Sequence, residues 1–336
     1  MRLVWPLLAV ALATAGLLAL TARPTVSSPL PSLAAPLPPP STPKPVVPKP
    51  SSNQGSDCSD QTASLRPADV APMPAAGVAA APASGPAGYL RTILGRGQLT
   101  VAVRPDTPPF AAVDTDTGQF VGFEVELAKQ IARALFGTDG HVQFRAVSTA
   151  DRVRVVQRGE VDMSMATITI TCDRLAQVDF SAVYFQASKN VLVLRSSPYR
   201  SLADLGGRKV CAATGTTSLQ RIADTPTHPI PYQVTNAADC LAALQQGTVE
   251  GVVNGDLVLA GMAAQDPETR IAGPKTLDVP TAAAISRDHP ELTAFVNGVL
   301  ARMAADGTWT RLYDANGLDR VFGPAPAPPV PHYRDR

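Results

Sequence analysis

Through the middle of the chain the apolar positions switch repeatedly between two periods. Leu99-Thr100-Val101-Ala102-Val103 and Val142 to Val147 read as short strands. Between them Phe123, Leu127, Ile131 and Leu135 recur every four residues, which predicts an amphipathic helix from Gly122 to Phe136. Glu124 and Glu126 fall off that stripe and are expected on its solvated side. Ser148 with Asp151 offers a capping pair for a helix ending at Gly159, and Ser201 to Asp204 and Asn236 to Asp239 repeat the device. Strands follow at Lys209 to Ala213 and Gly251 to Asn254, with a helix at Ala237 to Gln246. Ala282 to Ile285 leads to helices at Pro290 to Ala305 and Trp309 to Tyr313. Strand alternating with helix implies parallel βαβ units, hence an α/β fold.

The flanks break this pattern. Arg2 precedes an uncharged apolar run from Leu3 to Leu20, at the border between a signal-peptide core and a membrane span. Residues 1–22 therefore form a signal peptide or a membrane anchor, and either places the rest of the chain outside the cytoplasm. Residues 23–88 hold about half of the 33 prolines, mixed with Ala, Ser and Lys, and read as an extended linker. The Pro-rich tail, 323–336, is either flexible or laid on the surface.

Composition narrows the chemistry. A net charge of +1 and no basic face interleaved with aromatics argue against a nucleic-acid partner. His141, His228, His289 and His332 are scattered without metal-ligand spacing, and neither a phosphate-binding loop nor a nucleophile elbow is present, so no metal or cofactor is expected. Four cysteines without a CxxC pair read, in an exported chain, as two disulfides. Cys211 on a strand and Cys240 on the next helix can pair.

The stretch with the most chemistry is Val161 to Ser181. A short apolar strand runs into Thr167-Ile168-Thr169-Ile170-Thr171, and Arg174 follows. Hydroxyls and backbone N–H groups at a strand-to-helix turn, with a guanidinium fork opposite, can hold a carboxylate. An ordinary βα turn with a surface arginine would look the same.

This stretch, with Val161-Asp162, the Thr-Ile-Thr run, Arg174 and Asp179-Phe180-Ser181, resembles the signature of the polar amino-acid family of bacterial extracytoplasmic solute-binding proteins. The likeness runs from Leu99 to about Tyr313. It implies a two-lobed periplasmic-binding-protein-like fold of type II, with a ligand cleft between lobes joined by two hinge strands. One lobe would span 89–187 plus 284–322 and the other 191–280. It also implies that Arg174, Thr167 and Thr169 take a ligand carboxylate together with the turn Gly215-Thr216-Thr217 of the second lobe. The segment around Cys58 resembles one in actinobacterial members and implies a Cys58–Cys172 disulfide.

Two positions depart from the family. Gly255 stands where an amine-binding aspartate is usual, so either Asp256 turns inward or that anchor is missing. Arg104 stands where an acidic residue is common and resembles the arginine of glutamate/aspartate binders; it either grips a side-chain carboxylate, pairs with Asp106 or faces solvent. Phe110 lines the cleft or belongs to the core. The resemblance implies a monomer that captures a polar, acidic amino acid (glutamate or aspartate, or else glutamine) for an ABC-type permease. The alternatives are a sensor signalling through a membrane receptor, or a cyclohexadienyl-dehydratase-like enzyme using Asp106 or Asp256 as acid or base.

Overall fold

The computed structural model describes residue 58, residues 60–69 and residues 88–335. The expected signal or anchor over 1–22 and most of the linker over 23–88 lie outside the described residues.

Two five-stranded sheets share one topology. In the first, the order is Val142–Ala146, Leu99–Val103, Met163–Ser164, Ala284–Ile285, Asp179–Phe180, the first three parallel and Ala284–Ile285 antiparallel to its neighbours. In the second, it is Ile230–Val234, Lys209–Ala213, Gly251–Gly255, Lys189–Leu194, Thr269–Ala272, again with three parallel strands and an antiparallel fourth. The chain passes between the two lobes along Phe185–Ala187 and returns along Val279–Thr281, and these segments pair antiparallel, Phe185 opposite Thr281. Two adjacent crossings let the lobes rotate about a short axis while each sheet stays intact.

The helix Phe123–Phe136 forms as its periodicity predicts, and Phe123, Leu127, Ile131 and Leu135 are fully or almost fully buried against the first sheet. Glu124 does not follow the expectation. It is fully buried, because the neighbouring turn at Ala166-Thr167 and Tyr184 close over the side of the helix that the pattern left polar; Glu126 is half-buried and pairs with Lys129. Helix Pro290–Ala305 matches its expected span, and Thr308–Ala315 extends Trp309 to Tyr313 by a few residues. The helix ending at Gly159 shrinks to Arg154–Gln157, with Ser148 and Asp151 bonded to each other in the turn before it. Helix Asp256–Gln265 went unread in the sequence because its apolar residues run nearly unbroken and show no face.

The tail is laid down rather than free. His332–Arg334 pairs in parallel with Ala63–Leu65, the ordered island of the linker. Asn297, fully buried, fixes that island: its amide donates to Ser64 Oγ and Leu65 O, both at 2.7 Å, and its Oδ1 accepts from Ala182 N. Both disulfides are present, Cys58–Cys172 and Cys211–Cys240.

Candidate ligand-binding site

In both lobes the parallel strands point their carboxyl ends at the gap between the sheets, where α/β folds place ligands. Arg104 follows strand Leu99–Val103, Thr167 and Thr169 follow Met163–Ser164, Thr216 and Thr217 follow Lys209–Ala213, and Asn254 and Gly255 end their own strand. All of these line one pocket, together with Arg152, Lys189, Ser218, Leu257, Val258, Val279 and Thr281.

The wall from the first lobe is built around two buried guanidiniums. Arg104, 2% exposed, makes a bidentate pair with Asp106 through Nε (3.1 Å) and Nη2 (2.9 Å), and its Nη1 reaches Thr167 Oγ1 at 3.4 Å. The sequence left open whether Arg104 faces the cleft or pairs with Asp106, and it does both. Arg152, 5% exposed, donates from Nη1 to Ala166 O (3.0 Å) and Thr167 O (2.9 Å), while its Nε has no hydrogen-bond partner. Burial, then the nearby Arg174 and Arg104, push the Arg152 pKa well below the usual guanidinium range. Beneath lies Glu124, whose Oε1 accepts from Thr167 N at 2.7 Å and from Tyr184 OH; burial raises its pKa. Thr167 itself has φ 51°, a left-handed conformation costly for a β-branched residue, which is maintained by these bonds.

The second lobe contributes hydroxyls and one cation. Thr216 caps the helix Thr217–Ala223 by accepting from Leu219 N, and Lys189 Nζ donates to Thr217 Oγ1 at 2.5 Å and lies 3.4 Å from Ser218 Oγ. Burial, then the Arg174 and Arg152 charges, bring the Lys189 ammonium down to about 7. Neither Arg152 nor Lys189 was singled out from sequence. Arg152 sits in a charged capping turn where arginine is ordinary, and Lys189 opens a strand that otherwise reads apolar.

Four expected site residues take other places. Arg174 is not on the pocket wall: Nη1 donates to Thr169 O at 2.6 Å and Nη2 to Gly215 O at 3.0 Å, so its guanidinium links one lobe to the other, and burial lowers its pKa to about 10. Gly215, with φ 73°, thus serves through its carbonyl. Phe110 is fully buried in the core, edge-on to Phe185 at 4.9 Å and to Phe123 at 5.7 Å, because the hairpin after Arg104 folds it inward. Asp256 starts helix Asp256–Gln265 and donates its N–H to Ser188 O, which turns the carboxyl off the pocket wall. Its Oδ1 is buried without a hydrogen-bond partner, and burial raises its pKa.

The lobes touch closely. A Cβ on Gly261, in the second lobe, would lie 2.1 Å from Pro108 O of the first, and one on Gly215 would lie 3.8 Å from Ala150 Cα. The space left in the pocket is about 20 Å³, little more than a water molecule needs. Admission of anything larger requires the lobes to part.

A two-lobed α/β scaffold with two crossings and an interlobe pocket of cations and hydroxyls defines a type II solute-binding fold. Residues 99–317 match the model of the bacterial extracellular solute-binding proteins, family 3, and the chain belongs to that family. It is 32% identical over 225 residues to the ABC transporter glutamine-binding protein GlnH of Bacillus subtilis, covering 67% of this chain and 82% of that one. It is 28% identical over 232 residues to the glutamate-binding protein GluB of Corynebacterium efficiens, covering 66% and 79%. Among solved structures, an ancestral arginine-binding protein bound to glutamine superposes with a TM-score of 0.62 at 32% identity, over 68% of this chain and 99% of that one. The family and these relatives are binding proteins.

Proposed function

We propose that the cleft captures an acidic amino acid, glutamate or aspartate, outside the cytoplasm and passes it to a membrane partner of the ABC-permease type. One observation carries this reading: Arg104, Arg152 and Lys189 converge on a buried pocket whose wall, among the described residues, has no acidic side chain. Like charges held together away from water are costly, and a ligand with two carboxylates relieves that cost. The names of the glutamine- and glutamate-binding relatives agree with a ligand of this size and polarity. Capture works by lobe closure, the ligand favouring the closed form because only there do both walls reach it.

Turnover has little support from the site. Of the two candidate acids, Asp106 is engaged by Arg104 and Asp256 lies off the wall. Delivery to a permease is favoured over signalling by the transporter relatives alone.

The test is calorimetry with L-glutamate, L-aspartate, L-glutamine and L-arginine, repeated on Arg104→Asp. The acidic amino acids bind tightest to the wild type, and the variant loses them by at least about 30-fold. Preference for arginine, or an unchanged profile in the variant, would refute the reading.

A further inference from the structure

A bound acidic amino acid would find cations for both carboxylates in this pocket, but its α-ammonium would face no carboxylate on the wall, among the described residues. Arg104, Arg152 and Lys189 line the wall and no carboxylate does, among the described residues. The nearby acids are engaged, buried or off the wall: Asp278, whose charge acts on Lys189, accepts from Thr276 Oγ1 and does not line the pocket. Asp106 holds Arg104 through both oxygens, Glu124 is fully buried under Thr167, and Asp256 lies off the wall. The carbonyls are engaged as well: Ala166 O and Thr167 O accept from Arg152, and Thr169 O accepts from Arg174. The Asn254 Oδ1 accepts from Gly255 N at 2.9 Å. An ammonium placed here meets like charge with no carboxylate on the wall to balance it, among the described residues.

We infer that the pocket reads a short aliphatic dianion through its two carboxylates and is indifferent to an α-amine, with Lys189 as the specificity-determining cation of the second lobe. Amine-free dicarboxylates are then ligands of the same site. This rests on the acidic-ligand reading above, and it adds a ligand class that amino-acid recognition does not require.

Gly255 offers a direct test. It lies on the pocket wall, has φ −61° and would seat a Cβ 3.7 Å from Leu257 Cγ, so a side chain fits there without strain. An aspartate at this position restores a counter-charge for an ammonium. Calorimetry on the whole chain compares L-glutamate, glutarate and γ-aminobutyrate, then repeats the series on Gly255→Asp and Lys189→Met. In the wild type, glutarate binds within about tenfold of glutamate, and γ-aminobutyrate, which keeps the amine but only one carboxylate, is weaker by at least about 30-fold. Gly255→Asp shifts the preference toward glutamate by at least about tenfold, and Lys189→Met weakens glutarate and glutamate alike. Glutarate binding more than about 100-fold below glutamate in the wild type overturns the inference while leaving the acidic amino-acid reading standing. If neither binds and a neutral amino acid does, both fall together.

Discussion

The two walls of the cleft achieve positive charge in opposite ways. On the first lobe Arg104 and Arg152 are anchored by protein acceptors, Asp106 for one and the carbonyls of Ala166 and Thr167 for the other, over a buried Glu124. On the second, Lys189 is held by the hydroxyls of Thr217 and Ser218, and its ammonium is lowered to about 7. A pre-set fork can take a carboxylate as soon as it arrives; a weakly held, half-neutralised lysine gains most when an anion is already there. In the proposed capture, the first wall serves as the docking face and the second responds on closure.

Separating the walls should have the largest effect. Gly261→Ala improves helix propensity within the second lobe but puts a Cβ 2.1 Å from Pro108 O across the gap. The lobe remains folded and closure is blocked, so glutamate affinity drops on the order of 100-fold, and small-angle scattering shows no ligand-induced compaction. Arg152→Ala removes one fork from the docking face and costs at least about 30-fold in affinity by calorimetry; an unchanged value would mean that the face works through Arg104 alone. Lys189→Met costs about tenfold, the smaller penalty expected of the responding wall.

The pH dependence divides the walls further. Lys189, faced by Arg174, Arg152, Asp278 and Arg221, is protonated below about 7 and neutral above it. Anion affinity is highest below that value and falls severalfold as pH rises through it, and Lys189→Met removes the fall. Stability without ligand runs the other way. An unfolded lysine titrates near 10.5, so the unfolded chain binds more protons between about 7 and 10.5, and stability rises with pH across that window. A thermal-shift series should show stability rising with pH without ligand and the added stabilisation by glutamate shrinking over the same range; an increment that stays constant with pH would remove Lys189 from the pocket's chemistry.

Local pattern made much of the architecture legible. Strands Leu99–Val103 and Lys209–Ala213 and helix Pro290–Ala305 match their expected spans, because each carries its period in consecutive residues. Helix Asp256–Gln265, apolar on nearly every side, carried no such period and was missed. Within the site, the Thr167 to Thr171 run was found because the residue types at a strand-to-helix turn announce themselves, and the Gly215 turn through the family resemblance. Arg152 and Lys189 were not, since each sits in a local context where a charged residue is ordinary.

By itself the sequence determined the alternation of strands and helices, which is written in spacing along the chain, and, through resemblance to a known signature, the family and its hydroxyl-rich ligand turns. Only the tertiary structure decided that Glu124 is buried, that Phe110 packs in the core, that Asp256 turns off the wall and that Arg174 joins the lobes. The charge a residue carries is set by its type, but its neighbours come from elements as distant as positions 174 and 215. Partner and burial, not type, determine whether that charge meets solvent, a carbonyl or a ligand.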